Sequence, residues 1–291
     1  MYSEIAANKR KTWLVMAVFL VIIGGLGWIV SNLYNSPIFV YLAFIVGGVY
    51  ALIQYFLAAK LALGMNGAKQ IVKKDNPRLY RTVENLAITN GMPMPKVYVI
   101  NDPAPNAFAT GRDPNHAVVC ATAGLLDMMD DTELEAVMAH EMGHVKNYDI
   151  RVMMIVFGMV SAIGLIADII THLMWFGGSD DESPNPIFIV LGIVAAILAP
   201  FIALMVQMAV SRRREYLADS TGAMTTRYPE GLARALEKIR DFGAPMKRQN
   251  TATAHLFFAN PLRGKSLANM FSTHPPIDER IRRLRQMDTH A

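Results

Sequence analysis

Long apolar runs alternate with polar segments along this chain, and the lengths of the runs predict helices that cross a membrane. No charged residue occurs between Lys11 and Lys60, an interval long enough for two crossings of about twenty residues each. The polar stretch at residues 31–37 divides this interval, because it combines asparagines and serines with a terminal proline. We therefore predict a first span at residues 12–30 and a second at residues 38–59.

Two further apolar runs, at residues 152–176 and 186–210, predict a second pair of crossings. The predicted domains are two spans, a polar segment, two more spans and a second polar segment, at residues 12–59, 60–151, 152–210 and 211–291. Neither polar segment obviously closes a hydrophobic core alone, so we expect the two to fold together as one domain.

The polar segments contain patterns of both short strands and helices. Residues 96–100 alternate in polarity as a strand does, and residues 106–111 and 116–121 are two further strand candidates. Helical periodicity recurs at residues 79–87, 215–224, 229–241 and 277–287. The predicted fold class is a mainly α integral membrane protein, with four transmembrane helices and an α+β domain that contains a small sheet.

The distribution of charge predicts the orientation in the bilayer. The connection between the third and fourth spans is acidic at residues 180–182. Basic residues instead flank the other ends of the spans, at positions 9–11, 60, 69, 73, 74 and 212–214. By the positive-inside rule, both termini and both polar segments are predicted to be cytoplasmic. The first span could also be a cleavable signal, but its apolar stretch is long and no clear cleavage site follows, so we interpret it as a retained anchor.

The composition excludes several other classes of protein. With 53% hydrophobic and only 18% charged residues, the chain is too apolar for an ordinary soluble domain. The net charge of +4 does not indicate nucleic-acid binding, because no run of basic residues is interleaved with aromatic ones. The single cysteine, Cys120, excludes an internal disulfide bond and fits a reducing compartment.

Residues 133–144 form the segment with the clearest chemical pattern, and their periodicity predicts a helix. Apolar residues recur at three- and four-residue steps from Leu134 to Val145. Acidic residues crowd the first turn, and Asp131 or Thr132 is placed to cap its start.

Two histidines on this helix indicate a zinc site. Positions four apart lie on one helical face, so His140 and His144 can offer two imidazole nitrogens to the same point in space. Glu141 lies beside them and completes an H-E-x-x-H pattern, in which the glutamate takes a proton from water that the ion activates. Such a short pattern also occurs by chance in helices whose histidines bind nothing, so a third ligand is required.

The strongest candidate for that ligand is Glu215, directly after the fourth predicted span. Glu215 and Asp219 are four apart, which suits one carboxylate ligand and a second carboxylate that orients a ligating histidine. The alternative is a basic membrane anchor followed by solvated ion pairs on a helix surface. With the histidine motif present we favour the ligand, because two histidines, one glutamate and a water form the open tetrahedral site used for hydrolysis.

Four motifs together resemble the HtpX family of membrane proteases: HEMGH at 140–144, REYLAD at 214–219, PNAFATG at 105–111 and THPPIDER at 273–280. That family belongs to a wider group of integral-membrane zinc endopeptidases that includes the CAAX prenyl proteases. The resemblance covers nearly the whole chain, including two spans before the histidine motif and two after it.

The resemblance implies a zinc metalloendopeptidase with one Zn²⁺ per chain. The implied metal ligands are His140, His144 and Glu215, with Glu141 as the catalytic residue. Asp219 is implied to orient one of the ligating residues without binding the metal. The resemblance also implies that the strand at Asn106, Ala107 and Phe108 runs along the substrate backbone and that His274 and Arg280 lie near the site. Without the resemblance, the sequence indicates a loop residue at His274, part of a basic helix at Arg280 and a turn residue at Asn106.

The implied setting is the bacterial inner membrane, with the active site at the cytoplasmic surface, because the motif helix leads directly into the third span. Expected partners are the lipid bilayer and membrane-protein substrates, which HtpX-like enzymes degrade when they are damaged or misassembled. The sequence does not determine the oligomeric state, and a homo-oligomer is one alternative. The alternatives are a site-specific processing protease of the CAAX type and a transporter or scaffold, for which Asp168 and His172 would be an intramembrane pair.

Overall fold

The computed structural model describes residues 2–33, 35–159, 161, 212–250, 253–261 and 275–288. Two long helices come first, α1 at Tyr2–Leu33 and α2 at Ile38–Met65, and they pack against each other. Both extend beyond the spans predicted from the apolar runs. The chain turns between them at Asn35, whose φ of 50° lies in the left-handed region that asparagine tolerates.

In the described part of the chain, α2 is the helix that is long and apolar enough to cross a membrane. Its apolar window has a mean hydropathy of 1.9, and only 11% of that window is buried by the rest of the protein. A core helix of a soluble domain would be mostly covered, so this exposed apolar surface is consistent with contact to lipid. The predicted fourth span and most of the third lie outside the described residues.

A small mixed sheet follows these helices in the chain. Its strands are β1 at Lys69–Gln70, β2 at Lys96–Ile100, β3 at Ala107–Gly111 and β4 at Ala117–Thr122, in the spatial order β1-β2-β4-β3. Strands β2 and β4 pair in parallel, and the other two pairings are antiparallel. The three strands expected from sequence are present, whereas the short β1 was not predicted because two residues carry no periodic signal.

The sheet separates two hydrophobic cores, because alternate residues of β3 and β4 point to opposite faces. Ala107, Ala109 and Val119 belong to the larger core, which the helices of the second polar segment complete. Phe108 and Cys120 belong to a smaller core that is closed by the end of α2 and by residues near 155 and 257. Both faces of the sheet are therefore covered, and the two polar segments share one core as expected.

The remaining helices are α3 at Pro77–Thr89, α4 at Ala123–Met128, α5 at Asp131–Lys146, α6 at Arg212–Thr226, α7 at Pro229–Phe242 and α8 at Ile277–Asp288. Residues 149–159 are helical as well. Helix α5 is the motif helix. It is surrounded by β3, α3, α6 and α7, which is why most of its side chains are buried. The described chain is thus mainly helical with a small mixed sheet.

The start of α5 differs from the prediction by one residue. The N-cap is Asp130, whose side chain accepts a hydrogen bond from the Glu133 backbone N–H. The Glu133 carboxylate in turn accepts from the Asp130 N–H, so the two residues form a capping box. Asp131 and Thr132, the expected caps, already lie inside the first turn.

Candidate metal centre

The described structure brings two helices together around three ligand-type side chains. His140 and His144 project from α5, and Glu215 projects from the first turn of α6, which packs along α5. The ligand atoms of these residues all lie within 4.8 Å of one another, and all three residues are buried. Residues separated by more than seventy positions in sequence therefore converge on one point.

The spacing of these atoms fits a bound metal ion. The two Nε2 atoms lie 3.2 Å apart, and the Glu215 carboxylate oxygens approach His144 Nε2 to 3.5 Å and His140 Nε2 to 3.8 Å. Tetrahedral coordination with bonds of about 2.0–2.1 Å places ligand atoms roughly 3.3–3.4 Å apart. The donor set of two imidazoles and one carboxylate also leaves a fourth position open, which is the arrangement of a hydrolytic site rather than a structural one.

Asp219 lies behind His140, on the side away from the converging atoms. Its carboxylate is 2.9 Å from His140 Nδ1, although the contact is not aligned as a straight hydrogen bond. The Arg280 guanidinium donates two parallel hydrogen bonds to the same carboxylate, at 2.9 and 2.7 Å. Arg280 is fully buried and its Nη1 lies 4.0 Å from Glu215, so it neutralises a cluster of acidic groups.

Asp149 occupies the equivalent position behind His144, a role for which the sequence offered no geometric argument. Its carboxylate lies 3.1 Å from His144 Nδ1 in a fully buried contact. A carboxylate on the far nitrogen of a ligating histidine sets the tautomer, so that Nε2 faces the metal with its lone pair. The sequence holds no signal for this pair, because Asp149 follows the end of α5 and no helical spacing relates it to His144.

These environments move the pKa values of the two histidines in opposite directions. Burial lowers the pKa of His140 to about 4, despite the neighbouring Asp219. Burial acts in the same sense on His144, but its hydrogen bond to Asp149 and the charge of Glu215 outweigh it and raise the pKa to about 9. A metal requires both rings to be neutral at the bound nitrogen, so the metal-free site has to release a proton from His144 on binding.

Glu141 lies between the histidines in sequence and faces the sheet. It is buried, and its carboxylate accepts a hydrogen bond from the backbone N–H of Ala109 in β3. Burial is the main reason why the pKa of Glu141 rises to about 7, and the charge of Glu215 acts in the same direction. A carboxylate with a pKa near neutral can both accept and return a proton at physiological pH.

The strand residues assigned to substrate binding are placed beside the site, at the edge of the sheet. Asn106 exchanges two hydrogen bonds with the backbone of Ala259, at 2.8 and 3.0 Å. The carbonyl of Ala107 accepts from the N–H of Phe258 at 2.8 Å, and Phe108 is buried against Phe257. The outer edge of β3 is thus already paired with the segment that contains Phe258, whose ring packs against His140.

Some predicted residues cannot be placed. His274, Asp168 and His172 lie outside the described residues, so their assigned roles remain predictions. Asp219 and Arg280, by contrast, are both adjacent to the three converging side chains. Arg280 was expected near the site only from the family resemblance, since its helical spacing with Arg282 and Arg283 indicated a surface position.

Two glycines lie where α5 and α6 pack together, and the difference between them provides a test of the site geometry. A Cβ at Gly222 would lie 3.0 Å from the backbone N of His140, whereas a Cβ at Gly143 would lie at an ordinary 3.5 Å from Ala218. We expect Gly222→Ala to force the helices apart, lowering the free energy of unfolding by about 1–2 kcal/mol and reducing bound metal.

The matched control is Gly143→Ala, which should keep wild-type metal content and stability because its methyl group has room. Thermal unfolding and metal analysis of both purified variants provide the comparison. Equal metal content in the two variants would show that the close approach at Gly222 does not position the ligands.

Comparison with known proteins identifies the family. The model of peptidase family M48 matches residues 73–288. A protease HtpX homologue from Tropheryma whipplei (strain Twist) is 53% identical over 287 residues, covering 99% of this chain and 98% of that protein. An HtpX homologue from Streptococcus gordonii is 41% identical over 297 residues, covering 99% of this chain and 100% of the relative.

A solved structure shares the fold. The crystal structure of Ste24p from S. mikatae matches 93% of this chain and 62% of its own chain, with a TM-score of 0.54 and 20% sequence identity. At that identity the likeness concerns the fold alone. The family assignment depends instead on the M48 match over most of the chain and on the full-length relatives. By these matches the chain belongs to peptidase family M48, within its HtpX group of membrane metalloproteases.

Proposed function

We propose that this protein is a zinc-dependent endopeptidase and that its ion is held by His140, His144 and Glu215. The observation that supports this most directly is the convergence of two Nε2 atoms and a carboxylate at separations of 3.2–3.8 Å. Nitrogen and oxygen ligands in a tetrahedral set with an open position favour zinc used for hydrolysis. Among the described residues, the one cysteine is buried in the sheet and cannot complete a structural site.

The proposed reaction is direct attack of water on a peptide bond. A bound zinc ion supplies Lewis-acid chemistry to the water and to the scissile carbonyl. Glu141 accepts the proton of the attacking water and later donates it to the leaving nitrogen, so the net charge of the site does not change during the reaction. Asp219 and Asp149 hold the two imidazole rings in the required orientation.

We further propose that the chain crosses the inner membrane of a bacterial cell four times, with both termini and the zinc site in the cytoplasm. Support comes from the exposed apolar surface of α2 and from the placement of α5, whose end lies next to the helical residues 149–159 that open the third predicted span. The zinc site would then lie near the membrane surface.

The proposed substrates are damaged or misassembled membrane proteins, as expected for protein quality control under stress. A substrate strand that pairs with β3 would use Ala107 and the Asn106 side chain, which now bond to Phe258 and Ala259. A substrate could pair with β3 only if Phe258 and Ala259 first release these hydrogen bonds. His274 is proposed as a further catalytic residue. Arg280 is proposed to act near the site through its two bonds to Asp219.

The zinc assignment is tested by measuring metal content and proteolysis of the full-length protein beside Glu215→Ala. We expect about one zinc per wild-type chain and loss of both zinc and peptide hydrolysis in the variant, because two histidines alone form an incomplete site. Wild-type proteolysis that survives exhaustive chelation would contradict the proposal.

The substrate class is tested by comparing cleavage of a misfolded membrane protein in liposomes with cleavage of a soluble unfolded chain. A surface-bound site should cleave the embedded substrate faster. Cleavage at one defined position near a lipidated tail would favour the processing protease instead. A transporter would require Asp168 for function and would tolerate loss of His140.

A further inference from the structure

Asn8 is a buried polar residue near the start of α1, and nothing in the proposed reaction uses it. Its side chain is only 2% exposed, although it precedes the basic residues that flank the first apolar run. A buried side-chain amide requires hydrogen-bond partners, because leaving it unsatisfied costs about 1–3 kcal/mol. The two acceptors of the Asn8 side-chain amide both lie far away in sequence.

Those partners lie where α5 is followed by the next helix, Asn147 in the turn and Asp149 at the first residue of that helix. The Asn8 Nδ2 group donates to the carbonyl oxygen of Asn147 at 2.9 Å and to Asp149 Oδ1 at 2.8 Å. Both acceptors are oxygens, so the nitrogen of the amide, and not its oxygen, has to face them. The turn itself is tight, since Tyr148 between them has a φ of 61°.

Asp149 connects this contact to the metal centre. One carboxylate oxygen accepts from Asn8, and the other lies 3.1 Å from His144 Nδ1. Arg214, next to the ligand Glu215, lies 3.6 Å from the first oxygen and balances the charge. With both oxygens engaged, the plane of the carboxylate is fixed, and with it the orientation of the His144 ring.

We propose that Asn8 is a positioning residue for the metal centre, acting on His144 through Asp149. The cytoplasmic end of the first helix would then be part of the catalytic machinery and not only a membrane anchor. This inference rests on the proposed function, since it takes His144 to be a metal ligand.

A second role of Asn8 has to be separated from this one. Its bond to the Asn147 carbonyl, together with Lys9 over the Tyr148 ring at 4.7 Å, attaches α1 to the turn and contributes to stability. Stability alone would change thermal unfolding without changing the metal site. Only the bond to Asp149 predicts a change in metal affinity and in the electronic spectrum of a bound metal.

The test uses full-length, metal-free protein in detergent and the variant Asn8→Leu, which keeps the branched shape of the side chain and removes both donors. The control is Thr12→Val, one turn further along α1, which removes a buried hydroxyl that donates to the backbone carbonyl of Asn8 within the helix and leaves the Asn8 side chain in place. Zinc affinity is measured by competition with a chelator, and the visible spectrum is recorded with Co²⁺. Thermal unfolding of the metal-free forms reports stability.

We expect Asn8→Leu to bind zinc roughly tenfold more weakly, at the low end of the 10–100-fold that direct partners of a ligand contribute. Its Co²⁺ spectrum should differ from that of the wild type, whereas Thr12→Val should match the wild type in both. In an Asp149→Asn background the effect of Asn8→Leu should largely disappear, because the connection to His144 is already altered. If Asn8→Leu unfolds, Asn8→Ala provides the same comparison, because it also removes both donors and adds no volume.

Wild-type zinc affinity and an unchanged Co²⁺ spectrum in Asn8→Leu would overturn the inference while leaving the zinc protease intact. Equal effects of Asn8→Leu with and without Asp149→Asn would overturn it as well, since the action would not pass through Asp149. A wild-type protein that binds no zinc would instead overturn the proposed function, and the inference with it.

Discussion

Replacing Glu141 by glutamine is expected to lower peptide hydrolysis by roughly 10²–10⁴-fold while zinc stays bound. The amide has the size of the carboxylate and can still accept the hydrogen bond from the Ala109 N–H. It cannot take a proton from water, however, so only the chemical step is lost. Steady-state cleavage of a peptide substrate and zinc analysis on the same sample measure the two effects separately.

Glu135→Gln is the matched control for that experiment. Glu135 lies on the same helix but its side chain is exposed, so the substitution removes an equal charge from α5 without entering the site. We expect near wild-type activity. Turnover retained in Glu141→Gln would exclude Glu141 as the general base, whereas loss of zinc in that variant would mean that its carboxylate helps to hold the ligands.

Replacing Arg280 by methionine is expected to destabilise the protein by about 3–5 kcal/mol, the usual cost of leaving a buried charge without its partner. Arg280 is 0% exposed and makes the two parallel bonds to Asp219. These bonds and the Arg280 charge lower the pKa of Asp219 against the opposing effect of burial. Without the guanidinium, Asp219 loses the contact that keeps it charged beside His140, so zinc affinity should fall too.

Denaturant unfolding of the full-length protein measures this loss, with Arg282→Met as the control. Arg282 lies on the same helix and pairs with Glu279, but its side chain is 56% exposed, so its removal should change stability little. Arg280→Lys should recover only part of the loss, because an ammonium group cannot form two parallel bonds. A stability of Arg280→Met equal to that of Arg282→Met would contradict the assigned role of the buried pair.

The polarity pattern predicted the local elements of this fold closely. The strand at β2 has the predicted bounds, and the helices α3, α6, α7 and α8 each contain the predicted segment within a few residues. Apolar periodicity is a local property, since side chains three or four residues apart share a helical face whatever the rest of the chain does. The short elements β1 and α4 were not predicted, because they contain too few residues to show a periodic pattern.

The N-cap of α5 and the pairing at the outer edge of β3 could be found only from the structure, because neither follows from a local pattern of residues. Asp130 caps α5 because its side chain points back to the first turn, a choice among three adjacent polar residues that spacing alone did not decide. The pairing of β3 with Phe258 and Ala259 depends on a segment about 150 residues away. No local pattern encodes such a contact.

The sequence by itself determined that His140, Glu141 and His144 share one helix and that a carboxylate pair follows the last apolar run, because i, i+4 spacing is fixed by helix geometry. Only the tertiary structure decided which residues contact the far side of each ligating histidine and which residues hold those contacts in place. Arg280 reaches Asp219 across 61 positions, and Asn8 reaches Asp149 across 141. Such buried polar contacts form only when packing removes the side chains from water, which makes an unpaired group costly and its partner specific.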